Sequence, residues 1–147
     1  MNDLITNLDE LLRSLEPERH EGAFVFCSLP DSRALPRLRC VGQFLETEGV
    51  TVILSEEDAL QEGLEVLFRA AWITLKVHSD LSAVGLTAAV AGALAARQIP
   101  CNVVAAAFHD HLFVPIESAE AAIACLKALQ VGERQSEGFE ELDSRDE

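Results

Sequence analysis

Two stretches of this 147-residue chain carry residue types that can do chemistry. The first is His109-Asp110-His111. Histidines at i and i+2 on an extended segment point to the same side and can chelate a metal, but a stable site needs further ligands. The only candidate for a third is His78, and no metal is assigned on that basis. A bend here would instead let Asp110 bond turn N–H groups and fix a histidine tautomer, or leave His109 and Asp110 free to make polar contacts with a small ligand. The second stretch is the loop from Ser79 to Thr87, which holds Asp80 and ends in Gly85 where a helix begins. Unpaired backbone N–H groups at a helix start attract carboxylates, and glycine allows a ligand close to the backbone. Equally, Gly85 can simply permit a tight turn while Asp80 or Ser82 caps the helix. No serine or cysteine stands beside a histidine in a nucleophile motif, so no catalytic residue is assigned. Glu46, Glu48 and the acids from Glu56 to Asp58 can receive a basic ligand, or serve as hairpin and helix-cap residues.

The elements that must position these groups are legible from periodicity. Trp72 to His78 alternates as a strand, with Ile73, Leu75 and Val77 on one face. Leu86, Val90, Ala93 and Leu94 recur at helical spacing from Gly85 onward, beside a small-residue ridge of Thr87, Ala91 and Ala95 suited to close helix approach. Ile99-Pro100 ends that helix. Cys101 to Ala107 is a strand with almost no charge, expected at the centre of the sheet, and Leu112 to Pro115 must pair with it as an antiparallel hairpin. Glu117 to Gln130 is a last helix, capped by Ser118, with Ala122, Cys125, Leu126 and Leu129 inward and Gly132 ending it.

The resulting order, β-α-β-β-α, is the α+β ferredoxin-like pattern of an antiparallel sheet with helices on one face. The run from Val77 through Gly85, Leu86 and Thr87 to Ala89 resembles the first strand, polar loop and helix of an ACT domain. Ile99-Pro100-Cys101-Asn102-Val103-Val104 continues the likeness at the next strand. The string from Ile73 to Pro115, with its histidine segment, resembles a group of small bacterial stand-alone ACT-like proteins that lends no established reaction. ACT domains use this loop for amino-acid effectors. The resemblance therefore implies a ligand site lined by Asp80, Ala83, Val84, Gly85, Leu86 and Thr87, with Asp80 receiving an ammonium and the N–H groups a carboxylate. Asn102 and Val103 on the facing strand would be its companions.

The N-terminal half reads as a degenerate second unit. Leu4, Leu8, Leu11, Leu12 and Leu15 form a helical stripe, with Asn7 and Glu10 spaced as a capping pair and Pro17 as the stop. Gly22 to Leu29 is a buried strand, Leu38 to Leu45 and Val50 to Leu54 form a hairpin turning at Glu48-Gly49, and Ser55 caps a short helix ended by Gly63. The expected organisation is residues 1–66 as the degenerate unit, 67–132 as the second unit, the two sharing a sheet, and 133–147 as an acidic disordered tail.

Asp and Glu outnumber Lys and Arg by 25 to 11, a formal charge of −14. Nucleic acid and anionic membrane surfaces are excluded as nonspecific partners, because their phosphates would be repelled. Cys27, Cys40, Cys101 and Cys125 show no paired spacing and follow no secretory leader, so the chain is expected to be cytoplasmic with reduced thiols. The functional expectation is a non-enzymatic regulatory protein with no cofactor, which binds an amino acid and acts by pairing with itself or with a partner enzyme. The alternatives are a protein–protein interaction module without a ligand site and a metal-binding protein built on His78, His109 and His111.

Overall fold

The computed structural model describes residues 3–76 and 85–132. The elements in chain order are α1 (Asp3–Arg13), β1 (Glu16–Arg19), β2 (Phe24–Leu29), β3 (Cys40–Leu45), β4 (Val50–Ser55), α2 (Glu56–Gln61), β5 (Val66–Lys76), α3 (Leu86–Ala96), β6 (Asn102–Ala105), β7 (Asp110–Pro115) and α4 (Ala119–Gln130). The strands form one sheet in the order β3-β4-β2-β5-β7-β6, with β1 also paired to β5. Every pairing is antiparallel.

β5 is the member that both halves share. It is rich in β-branched, aromatic and aliphatic residues, which suits a long strand flanked on both edges. Its first part, Val66 to Ala70, pairs with β2, while Ala70 to Leu75 pairs with β7 on the other edge. β1 takes the rest of the β2 side, from Arg19↔Ile73 to Glu16↔Lys76. Between β1 and β2, the His20 N–H continues the ladder by donating to the Trp72 carbonyl at 2.9 Å. The pairings thus contain two four-strand sets, β3-β4-β2-β5 and β1-β5-β7-β6, with β5, which begins at Val66, common to both.

Alternation divides the side chains of this sheet between two faces. On the helix side, Ile73, Leu75, Leu112 and Val114 pack with Leu86, Val90 and Leu94 of α3, with Ala122, Leu126 and Leu129 of α4, and with Leu12 and Leu15. Val25, Cys27, Val52, Leu54 and Ala59 form a second cluster around α2. α1 therefore packs against α3 and α4, within the C-terminal set, although it precedes both in the chain by more than half the sequence. The opposite face has no helix over it among the described residues. Aromatic side chains cover it instead: Phe26, Phe68 and Trp72 lie over Ile53, Ala70 and Phe113.

Several local expectations are corrected. β6 is the edge of the sheet, not its centre, and Val104 is 47% exposed. Its lack of charge reflects a four-residue strand, not burial. Pro17 does not stop α1, which ends at Arg13; it sits within β1, an edge position where its missing N–H is tolerated. Asn7 lies inside α1, so it is not a cap. Ser118 precedes α4 but bonds no backbone N–H with its side chain. The Thr87/Ala91/Ala95 ridge does not join the two sets: Thr87 and Ala95 are exposed, and α3 packs through Leu86, Val90 and Leu94. Other signals hold. The Ser55 hydroxyl accepts the Asp58 N–H at 3.2 Å, and Gly63 and Gly132 follow the ends of α2 and α4 with φ +66° and +80°.

The turn at Glu48-Gly49 needs glycine because the chain is crowded there. A Cβ on Gly49 would lie 2.5 Å from the Leu29 carbonyl oxygen, a backbone atom of the neighbouring strand. Gly92, inside α3, has open space around the same position. Gly49→Ala is therefore expected to lower stability by about 1–3 kcal/mol, and Gly92→Ala to raise it by about 0.5–1 kcal/mol, both read from urea unfolding midpoints.

Candidate functional site

The loop singled out in the sequence meets the described structure at Gly85. This glycine precedes the first residue of α3 with φ +96°, and among the described residues no side chain caps the helix there. A left-handed residue at this point leads the chain into α3, and as glycine it has no side chain with which to cap the helix itself. Asp80, Ala83 and Val84 lie outside the described residues, as do His78 and the tail beyond Gly132. Leu86 is buried in the core and Thr87 is exposed. Leu8 of α1 faces Gly85, its Cδ2 standing 3.4 Å from where a Cβ would be. Asn102 and Val103 are on the edge strand β6, opposite Phe113 and Leu112 of β7. A cavity of about 320 Å³ lies apart from these, lined by Asp9, Leu12, Arg13, Leu129 and Gly132.

The histidine segment has a different setting from the one expected. The hairpin turn is closed through the main chain, Ala106 N–H to His109 carbonyl at 3.0 Å, a task the sequence reading gave to Asp110. Asp110 opens β7 and is largely buried. His109 keeps a buried Nδ1 with no hydrogen-bond partner. Among the described residues no group of three His, Cys, Asp or Glu side chains is placed to hold a metal ion.

His111 instead belongs to a polar network on the helix-free face. The Trp72 indole N–H donates to His111 Nδ1 at 3.0 Å. Thr74 Oγ1 stands 3.0 Å from the same nitrogen and 2.7 Å from Nε2 of His20, whose ring stacks on Trp72 at 3.5 Å. Register explains the meeting. Thr74 and His111 are directly opposed on β5 and β7, and Thr74 also faces Glu18 of β1, just before His20. Phe24 and Phe113 close around the indole. Burial pushes both histidines below the ordinary imidazole value, since the charged form loses water there. The sequence reading missed His20 and Thr74; the one available signal was that Trp72 and Thr74 alternate onto a single face.

Outside this network the ionisable groups have structural roles. Glu56 binds the Arg69 guanidinium through both oxygens and Glu46 accepts the Thr51 hydroxyl, so two members of the acidic patch are engaged within the sheet. The four cysteines are free, and burial raises the Cys101 thiol to about 11, which leaves it protonated and unreactive near neutrality.

Comparison with known proteins agrees with this architecture. Sequence models of the ACT domain match residues 5–71 and 68–128. A crystal structure from Vibrio cholerae, described as a protein of unknown function and possible transport protein, is 41% identical over 86% of this chain and 98% of its own, with TM-score 0.78. The chain belongs to the ACT-domain family. This ACT protein also shares its fold with a protein from Agrobacterium tumefaciens at 17% identity, covering 79% of this chain and 89% of the other, TM-score 0.61. The ligand-free regulatory subunit of aspartate kinase from Thermus thermophilus matches at 13% identity, 79% and 98% coverage and TM-score 0.57. Comparison with curated proteins found no match. No helix among the described residues is long and apolar enough to cross a membrane.

Thr74 is only 5% exposed and bridges two imidazoles, so removing its hydroxyl takes the side-chain partner from His20 Nε2 and leaves His111 Nδ1 with the Trp72 indole alone. Thr74→Val, which keeps the side-chain shape, is expected to cost about 1–3 kcal/mol in urea unfolding at neutral pH. Unchanged stability would mean that water replaces the hydroxyl freely.

Proposed function

We propose that this protein is a non-catalytic regulator that binds an amino acid, or a similar small zwitterion, at the loop from Asp80 to Thr87. The observation that carries the reading is Gly85. At φ +96° it stands at the N-cap of the 11-residue α3 with no side chain of its own to cap it, a setting that favours a carboxylate. Asp80 would receive the ammonium, and Asn102, Val103, His109 and Asp110 would supply the facing contacts. Membership of the ACT family, whose domains generally serve regulatory ligand binding, supports the same reading. The output is a change in pairing with a second copy or with a partner enzyme in the cytoplasm.

A second reading has an observation of its own. Leu8 already stands against Gly85, and a site occupied by the protein's own side chain suits an interaction module that has lost its ligand. The exposed edge strand β6 and the 83% exposed Phe108 beside it offer surface for such contacts.

The two readings differ in a thermal-shift panel of amino acids and small carboxylates. Ligand at about a hundred times its dissociation constant stabilises the native state by about 2.7 kcal/mol, a clear rise in Tm for a chain of this size. One amino-acid class is expected to shift the wild type and to leave Gly85→Asp unshifted, because an added carboxylate repels the ligand's. A panel flat for every compound would sink ligand binding and favour the interaction module.

A further inference from the structure

The N-terminal segment is held to the sheet by few backbone bonds, and otherwise by Leu12 and Leu15 in the helix-side core and the Glu18–Lys76 ion pair. β1 is four residues long and pairs only with β5, and its Pro17 has no N–H to give the ladder. Directly after it, His20 is fixed three ways: by its own N–H on the Trp72 carbonyl, by its ring on the indole and by Nε2 on Thr74. Upstream, α1 sets Leu8 against Gly85. We propose that α1 and β1 form a strap over the start of α3, latched by the His20–Thr74–His111–Trp72 network and released when its two imidazoles take up protons.

The protons of the network can be assigned. An indole N–H only donates, so His111 Nδ1 presents its lone pair and carries its proton on Nε2. A proton added at Nδ1 would set two N–H groups against each other and leave the Trp72 donor without an acceptor. Charging His20 as well would place two cations on either side of one hydroxyl. His111 is faced by His109 and His20, which oppose its charge, and by Asp110, which favours it. His20 is faced by Glu18, which favours its charge, and by Lys76, which opposes it; Glu18 and Lys76 are themselves ion-paired.

Burial outweighs the favourable charges at both histidines and holds them below 6.5. A group whose folded value is depressed contributes stability that is fully present above its unfolded value and lost as pH falls through the folded one. The strap is therefore closed at neutral pH and loosens on acidification below about 6.5. The regulatory meaning rests on the start of α3 being the ligand site, because release of α1 withdraws Leu8 from Gly85. The latch itself does not depend on that reading.

Trp72 is the single tryptophan of the chain, so its fluorescence reports the latch directly. The full chain, with no ligand added, is titrated from about pH 7.5 to about pH 5, and amide exchange is mapped at both ends after correction for intrinsic rates. The expected result is a fluorescence step with its midpoint below 6.5. Exchange should rise by about tenfold or more across α1 and β1, up to residue 23, while the amides of β4 and β7 keep their protection. In the double variant His20→Gln, His111→Asn, amide groups stand where Nε2 and Nδ1 were and cannot take up a proton, so the step disappears. An absent step, a step that survives in the double variant, or exchange rising evenly across the whole sheet overturns the proposal. If the variant does not fold, the wild-type exchange map decides alone. Because no ligand is present, a flat thermal-shift panel and a failed latch are separate results.

Discussion

β5 is hydrogen-bonded to three other strands, and the placement of nearly every other element depends on its register. Because its side chains alternate, Ala71, Ile73 and Leu75 enter the helix-side core while Ala70, Trp72 and Thr74 face the aromatic layer. A slip of one residue would reverse both sets and bring Trp72 against α3. The same strand closes the four-strand set of β2, β3 and β4 and opens the set of β1, β6 and β7. Its C-terminal end, where the chain leads into α3, is paired with β1 and β7, whereas β2 is paired with its first part.

The two faces of the sheet are covered by different means. Helices bury aliphatic side chains on one; on the other, Phe24, Phe26, Phe68, Phe113 and Trp72 pack edge to face and stacked among themselves. Aromatic rings bury enough area to protect a sheet without a helix, and their edges leave room for polar groups. Thr74 and the two histidines occupy that room at the end of the layer. Their bonds are strengthened by the apolar surroundings, and the same surroundings make a charge there costly.

Much of the C-terminal set was legible in the sequence because its elements are long and regular. Period-two alternation marked the end of β5, helical spacing marked α3 and α4, and the short interval between β6 and β7 required a hairpin. β1 was not legible. Four residues that include a proline and three charges carry no strand signal, and they become a strand only because β5 extends beyond β2 and leaves an edge to be paired. β6 was placed at the centre because it lacks charge, yet a strand of four residues can be uncharged and still lie at an edge. At the candidate site, the glycine that begins α3 was legible as a turn residue. The meeting of His20, Thr74 and His111 was not, because it arises from register between β1, β5 and β7, residues 54 and 37 apart in the chain.

The central claim is that a zwitterionic ligand binds where β5 hands over to α3. Amide NMR of the labelled chain, titrated with the amino acids one class at a time, addresses it most directly. The account predicts saturable shifts for one class, largest at Gly85, Leu86 and Thr87 and carried into β5. Shifts confined to the cavity between α1 and α4, or none with any amino acid, would contradict it.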